Sequence, residues 1–135
     1  MGVNYYDTLI AIADDSPVQE PVVPPRNDAK PTIAAEQYRL LADRPYELTS
    51  EDVIFTVHAD KTGIPTDERD TAREEFFQTS RACLRTSPLA KKFGWGLHSD
   101  AEGRLALVGA GSDRYRELVE DPATKVVKAM RSSRK

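Results

Sequence analysis

Phe93 to Gly109 reads FGWGLHSDAEGRLALVG, and it holds the chain's single Trp, one of its two His and four of its seven Gly. Trp95 to His98 and Arg104 to Val108 are short apolar runs, and the Ser99 to Gly103 segment between them carries the Asp and Gly that a tight connection needs. The stretch predicts a β-hairpin, with Gly94 and Gly96 allowing the chain to turn or approach closely around Trp95. A hairpin at this place commits the chain to a sheet, and the remaining segments are read as what pairs with it or covers it.

Upstream, Asn4 to Ala13 is a β-branched and aromatic run that predicts a strand over Tyr5 to Ala13. Residues 14–31 carry five of the nine prolines, Pro17, Pro21, Pro24, Pro25 and Pro31, and read as a long loop in partly polyproline conformation. Thr32 is a helix cap, and Ala34, Tyr38 and Leu41 form one apolar stripe that ends before Pro45. The run VIFTVHA predicts a second strand over Val53 to Ala59, with Val53, Phe55, Val57 and Ala59 on one face and Ile54, Thr56 and His58 on the other. Asp70 to Thr79 reads as a short helix, and Ser87 before Pro88 caps another that stops at Gly94. Downstream of the hairpin, Asp113 to Glu120 predicts a helix with Tyr115, Leu118 and Val119 inward. The tail, 124–135, fits a helix or a last strand. The expected fold is α+β: a mainly antiparallel sheet of four or five strands with about three helices packed on one face.

A chain of 135 residues is one domain's worth, so a single domain over 1–135 is expected. With 39% hydrophobic and 30% charged residues, the composition is that of an ordinary globular chain, and its mean hydropathy is -0.54. No apolar run is long enough to span a bilayer. The N-terminal residues lack a basic segment and an apolar core of the secretory kind, and Tyr6 stands where a myristoylation signal needs Ser or Thr. A single Cys makes no intrachain disulfide. These features place the protein in the cytoplasm, with no membrane partner, and leave its oligomeric state open.

The net charge of -3 conceals polarity along the chain. Residues 76–99 and 124–135 contain no Asp or Glu, yet they carry Arg81, Arg85, Lys91, Lys92, Lys125, Lys128, Arg131, Arg134 and Lys135.

Taken in order, NYYDTLIAIA (4–13), REEFF (73–77), CLRTSPLAKKFGWGLH (83–98) and KAMRS (128–132) resemble a family of small bacterial proteins classified only as a domain of unknown function. CLR-x-SPL and GWG-x-H are the specific parts of that likeness. The resemblance implies a bacterial cytoplasmic domain and carries no activity, ligand or catalytic residue with it.

Four motifs carry possible chemistry. Arg81, Arg85, Lys91, Lys92, Lys128 and Arg131, with Trp95 and Phe93 as stacking surfaces, suit an anionic ligand, either nucleic acid or a phosphorylated compound; the commoner fate of such charges is a solvated or internally paired face. Cys83 with His98, and His58 in addition, suits a thiol nucleophile and its base, with Arg85 lowering the thiol pKa; the commoner fate of a lone Cys is burial as a small apolar residue. The spacing of these three residues matches no compact metal-ligand pattern, so neither a metal nor a cofactor is expected. GAGS at Gly109 to Ser112 reads as a turn rather than a phosphate loop. PVVPPR at Pro21 to Arg26 has the form of a proline-rich ligand, but reads better as a loop packed over the sheet. A binding or adaptor module for an anionic ligand is therefore favoured over a Cys83-dependent enzyme, and a protein–protein interaction domain is the third alternative.

Overall fold

The computed structural model describes residues 4–25, 29–30, 32–79 and 83–131. The predicted hairpin forms: β2 (Trp95–Ser99) pairs antiparallel with β3 (Leu105–Gly109), Leu97 opposite Leu107. Its connection is built by Asp100, whose carboxylate accepts the amides of Glu102 and Arg104, both at 2.9 Å. Gly103 completes the turn at φ 83°, a conformation that side-chain-bearing residues rarely adopt.

β1 (Thr8–Ala11) lies antiparallel to β2, with Leu9 opposite His98 and Ile10 opposite Leu97. The ambiguous tail resolves into β4 (Lys125–Lys128), which runs parallel to β1 on its other side, Ile10 opposite Val127. The sheet order is β3-β2-β1-β4, so the sheet is mixed and not simply antiparallel. Parallel strands that are not neighbours in sequence need a crossover, which α5 (Asp113–Glu120) provides between β3 and β4.

Among the described residues, five α-helices surround this sheet where about three were expected. The principal correction concerns Val53 to Ala59, which lies inside α2 (Ser50–Thr62) and is no strand. Thr49 and Asp52 close a reciprocal capping box, the Thr49 hydroxyl accepting the Asp52 amide at 3.2 Å and the Asp52 carboxylate the Thr49 amide at 2.9 Å. Gly63 ends the helix at φ 72°. These two caps outweigh the few tenths of a kcal/mol by which each β-branched residue disfavours a helix. The alternation of apolar residues has another cause: α2 is packed between α1 (Ile33–Ala42) and α3 (Arg69–Thr79), so it is enclosed on more than one side. Thr32 caps α1, and Ser87 caps the short α4 (Pro88–Lys92) while donating to buried Gln37 at 2.5 Å.

The helices also occupy both faces of the sheet. Ile10, Leu97 and Leu105 face Leu41, Val53, Val57 and Leu89 in the main core. On the opposite face, Leu9 and Val108 pack against Leu118 and Tyr115 of α5. Val119, expected to point inward, is 46% exposed.

The proline segment is strapped onto the hairpin. The Val22 amide donates to the Phe93 carbonyl at 2.8 Å, the Trp95 indole N–H to the Val22 carbonyl at 2.9 Å, and the Pro21 ring lies against Gly109. Gly94, at φ 75°, is where this strap passes closest: a Cβ there would stand 2.2 Å from the Glu20 carbonyl oxygen, whereas one on Gly63 would meet nothing within 4 Å. In urea titrations Gly63→Ala is expected to cost about 1 kcal/mol, the penalty for a left-handed residue. Gly94→Ala is expected to cost about 3 kcal/mol, because strain and collision with backbone combine. Equal losses would show that the strap does not press on Gly94.

Candidate functional site

The helical layer leaves two adjoining depressions on the surface. The wider, about 1060 Å³, lies between the start of α1, the end of α2 and the end of α4, and Lys30, Lys61, Lys92, Phe93, Glu36 and Asp60 border it. The narrower, about 350 Å³, is walled by Ile54, Val57, His58 and Phe76 of α2 and α3 and closed by Cys83 and Leu84. Ile33, Lys61 and Pro88 line both, so the two share a waist.

In the wider depression both acids are already engaged. Glu36 pairs with Arg39 at 3.0 Å, and Asp60 with Arg69 at 3.0 Å and Arg39 at 3.8 Å. Lys61 and Lys92 are exposed and form no ion pair among the described residues. In the narrower depression the His58 ring lies over Phe76 at 4.5 Å between centroids, inclined by 33°, and Phe76 in turn meets Phe55 at 5.8 Å. Cys83 is half-buried beside Tyr5; burial and this hydrogen-bonded thiol push the Tyr5 phenol above its ordinary pKa.

The residues singled out from sequence are divided among several roles. Arg81 lies outside the described residues. Arg85 closes the open edge of β4: Lys125 and Ala129 donate inward to Asp7 and Ala11, leaving the Lys128 carbonyl outward, where it accepts the Arg85 Nε–H at 2.7 Å. The Met130 amide donates to the Arg85 carbonyl at 2.8 Å, so Arg85 pairs with the edge much as a strand would. Lys128 binds Asp14 at 2.6 Å. Arg131 follows Met130 at the end of the described tail, exposed. Trp95 is tied to the strap and packs on Tyr38 at 5.5 Å. Lys91 is half-buried on α4, and among the described basic residues of the set Lys92 alone lines the wider depression.

Cys83 and His98 are not brought together. His98 alternates with core residue Leu97 and lies on the sheet face that Leu9 and α5 share, bonded through Nδ1 to the Tyr46 hydroxyl at 2.8 Å. The imidazole that does share a depression with Cys83 is His58. Lys61 and Ile33 were not singled out from sequence; the capping box at Thr49 was the available signal, because a helix over 50–62 projects His58 and Lys61 about one turn apart. The GAGS turn is a helix start whose Ser112 hydroxyl accepts the Tyr115 amide at 3.1 Å, with Asp113 paired to Arg116. Of PVVPPR, Arg26 lies outside the described residues, and the remainder belongs to the strap. Among the described residues, no group of three or more His, Cys, Asp or Glu is placed to hold a metal, and no helix is long and apolar enough to cross a membrane.

The fold and its surface define a small α+β domain with a four-stranded mixed sheet and a lysine-bordered trough in its helical layer. The chain belongs to a family of unknown function, DUF6157, which it matches over residues 1–135. No curated protein and no solved structure matches it.

Burial, and then the charge of Arg114, lower the His98 pKa against the opposing pull of Asp100, Asp7 and Asp121. Because the unfolded chain binds this proton more readily, stability is expected to fall as pH drops from the ordinary value of 6.5 through the folded midpoint. An NMR titration should place the His98 midpoint below 6.5, and His98→Gln should remove that part of the pH dependence; a midpoint at or above 6.5 contradicts the burial argument.

Proposed function

We propose that this protein is a binding module for a small anionic compound, taken up in the wider depression by Lys61 and Lys92 with Lys30 beside them. The observation that carries this reading is the neutralisation of Glu36 and Asp60 by arginines, while Lys61 and Lys92 keep their charge facing the depression. Anions are drawn to such a concave positive site even on a chain of net negative charge, because the local field decides the encounter. The ring of Phe93 supplies an apolar wall. A phosphorylated compound suits the trough better than a nucleic acid, since Arg85, Lys128 and Trp95 are spent on internal bonds and leave no continuous basic stripe among the described residues.

Amide NMR titration with inorganic pyrophosphate at low salt tests this. Shifts are expected at Ile33, Lys61 and Lys92, with binding weakened about tenfold by Lys61→Glu or Lys92→Glu and strongly by 0.5 M salt. No shift at low salt overturns the proposal. Tighter binding of a short single-stranded oligonucleotide that ignores both substitutions would instead support the nucleic-acid reading.

A second reading, thiol chemistry at Cys83, is favoured by one observation: His58 lines the same depression. It predicts that the folded protein's alkylation by iodoacetamide at pH 7 slows severalfold in His58→Ala. An unchanged rate removes His58 from any role at the thiol.

A further inference from the structure

The two depressions are parts of one trough with unlike ends. We infer that the compound bound at the lysine end is an amphiphile, an organic phosphate or carboxylate whose apolar or aromatic body lies in the narrower arm against Ile54, Val57, His58 and Phe76. This rests on the reading above and adds the class of ligand to it.

Continuity is the first support. Ile33, Lys61 and Pro88 belong to both depressions, so a molecule held at the ammonium of Lys61 has the arm directly beside it. Polarity is the second. Ile33, Ile54, Val57, Phe76, Leu84 and Pro88 give the arm its aliphatic and aromatic walls, while its polar side chains are bonded within the protein, Ser87 to Gln37, Thr62 to the His58 carbonyl and Thr86 to the Cys83 carbonyl. Beyond Lys61 at the waist, no other Lys, Arg, Asp or Glu among the described residues lines it. Such a surface gains by releasing water to an apolar group and offers little to a sugar or a second phosphate. Size is the third. About 350 Å³ lies at the small end of the ~300–1000 Å³ range of small-molecule sites, enough for one aromatic ring or a medium-length alkyl chain. Finally, Ile33 stands at the waist 47% exposed, an aliphatic side chain at the first position of α1 that the described residues leave half uncovered. An apolar body crossing from the lysines to Phe76 would cover it.

The experiment compares inorganic phosphate, octyl phosphate below its micellar concentration, and neutral 1-octanol by NMR titration and calorimetry. Octyl phosphate is expected to bind at least tenfold more tightly than inorganic phosphate and to shift the methyls of Ile33, Ile54 and Val57. It should also slow alkylation of Cys83 severalfold, which inorganic phosphate does not. Ile33→Ser, at an exposed position where folding is not at stake, should weaken octyl phosphate severalfold more than inorganic phosphate. Equal affinities for the two phosphates overturn this inference and leave the anion site standing. Binding of 1-octanol as tight as that of octyl phosphate, untouched by Lys92→Glu, overturns the coupling of the two ends. If neither phosphate binds at low salt, the anion site itself fails, and the inference with it.

Discussion

The burial of β1 on both faces is the constraint on which the architecture rests. Leu9 and Ile10 are adjacent in sequence, so they point to opposite sides of the sheet, and each is 0% exposed. A strand in this position needs hydrogen-bonding neighbours along both edges and apolar cover above and below. β2 and β4 supply the edges; α1, α2 and α4 supply one cover, and α5 the other. The order of the chain then follows. Only a crossover under the sheet can bring the chain from β3, at one edge, to a parallel place beside β1, and that crossover is α5.

The same constraint explains why the basic residues do not form one surface. β4 is the last strand laid down and leaves an open edge that an unprotected sheet would offer to another chain. Arg85 closes that edge with both its side chain and its backbone, and Lys128 turns to Asp14. Charges that the sequence gathers in two acid-free segments are thus divided between holding the sheet edge and bordering the trough. The trough exists because α1, α2 and α4 converge at their ends without filling the space between them.

Local chemistry carries much of this structure. Thr32, Ser87 and Ser112 cap helices as their positions imply, Asp100 and Gly103 turn the hairpin, and the apolar stripe of Ala34, Tyr38 and Leu41 meets the core. Each of these depends on residues within a few positions of one another, so the information is legible in a short window. Val53 to Ala59 shows the opposite case. Its β-branched alternation fits a strand, and the few residues that decide otherwise, Thr49, Asp52 and Gly63, stand at its ends. A local pattern was legible there, and a boundary signal outweighed it.

The sequence by itself determined the hairpin, four of the five helices, the proline segment and the uneven distribution of charge, because turns, caps and helical stripes are written in neighbouring residues. Tertiary structure alone decided that the tail becomes a parallel strand, that α5 covers the second face, and that His58 rather than His98 lies near Cys83. It also decided which lysines border a cavity. These are contacts between segments tens of residues apart, and they are set by how the whole chain buries its apolar surface rather than by any local preference.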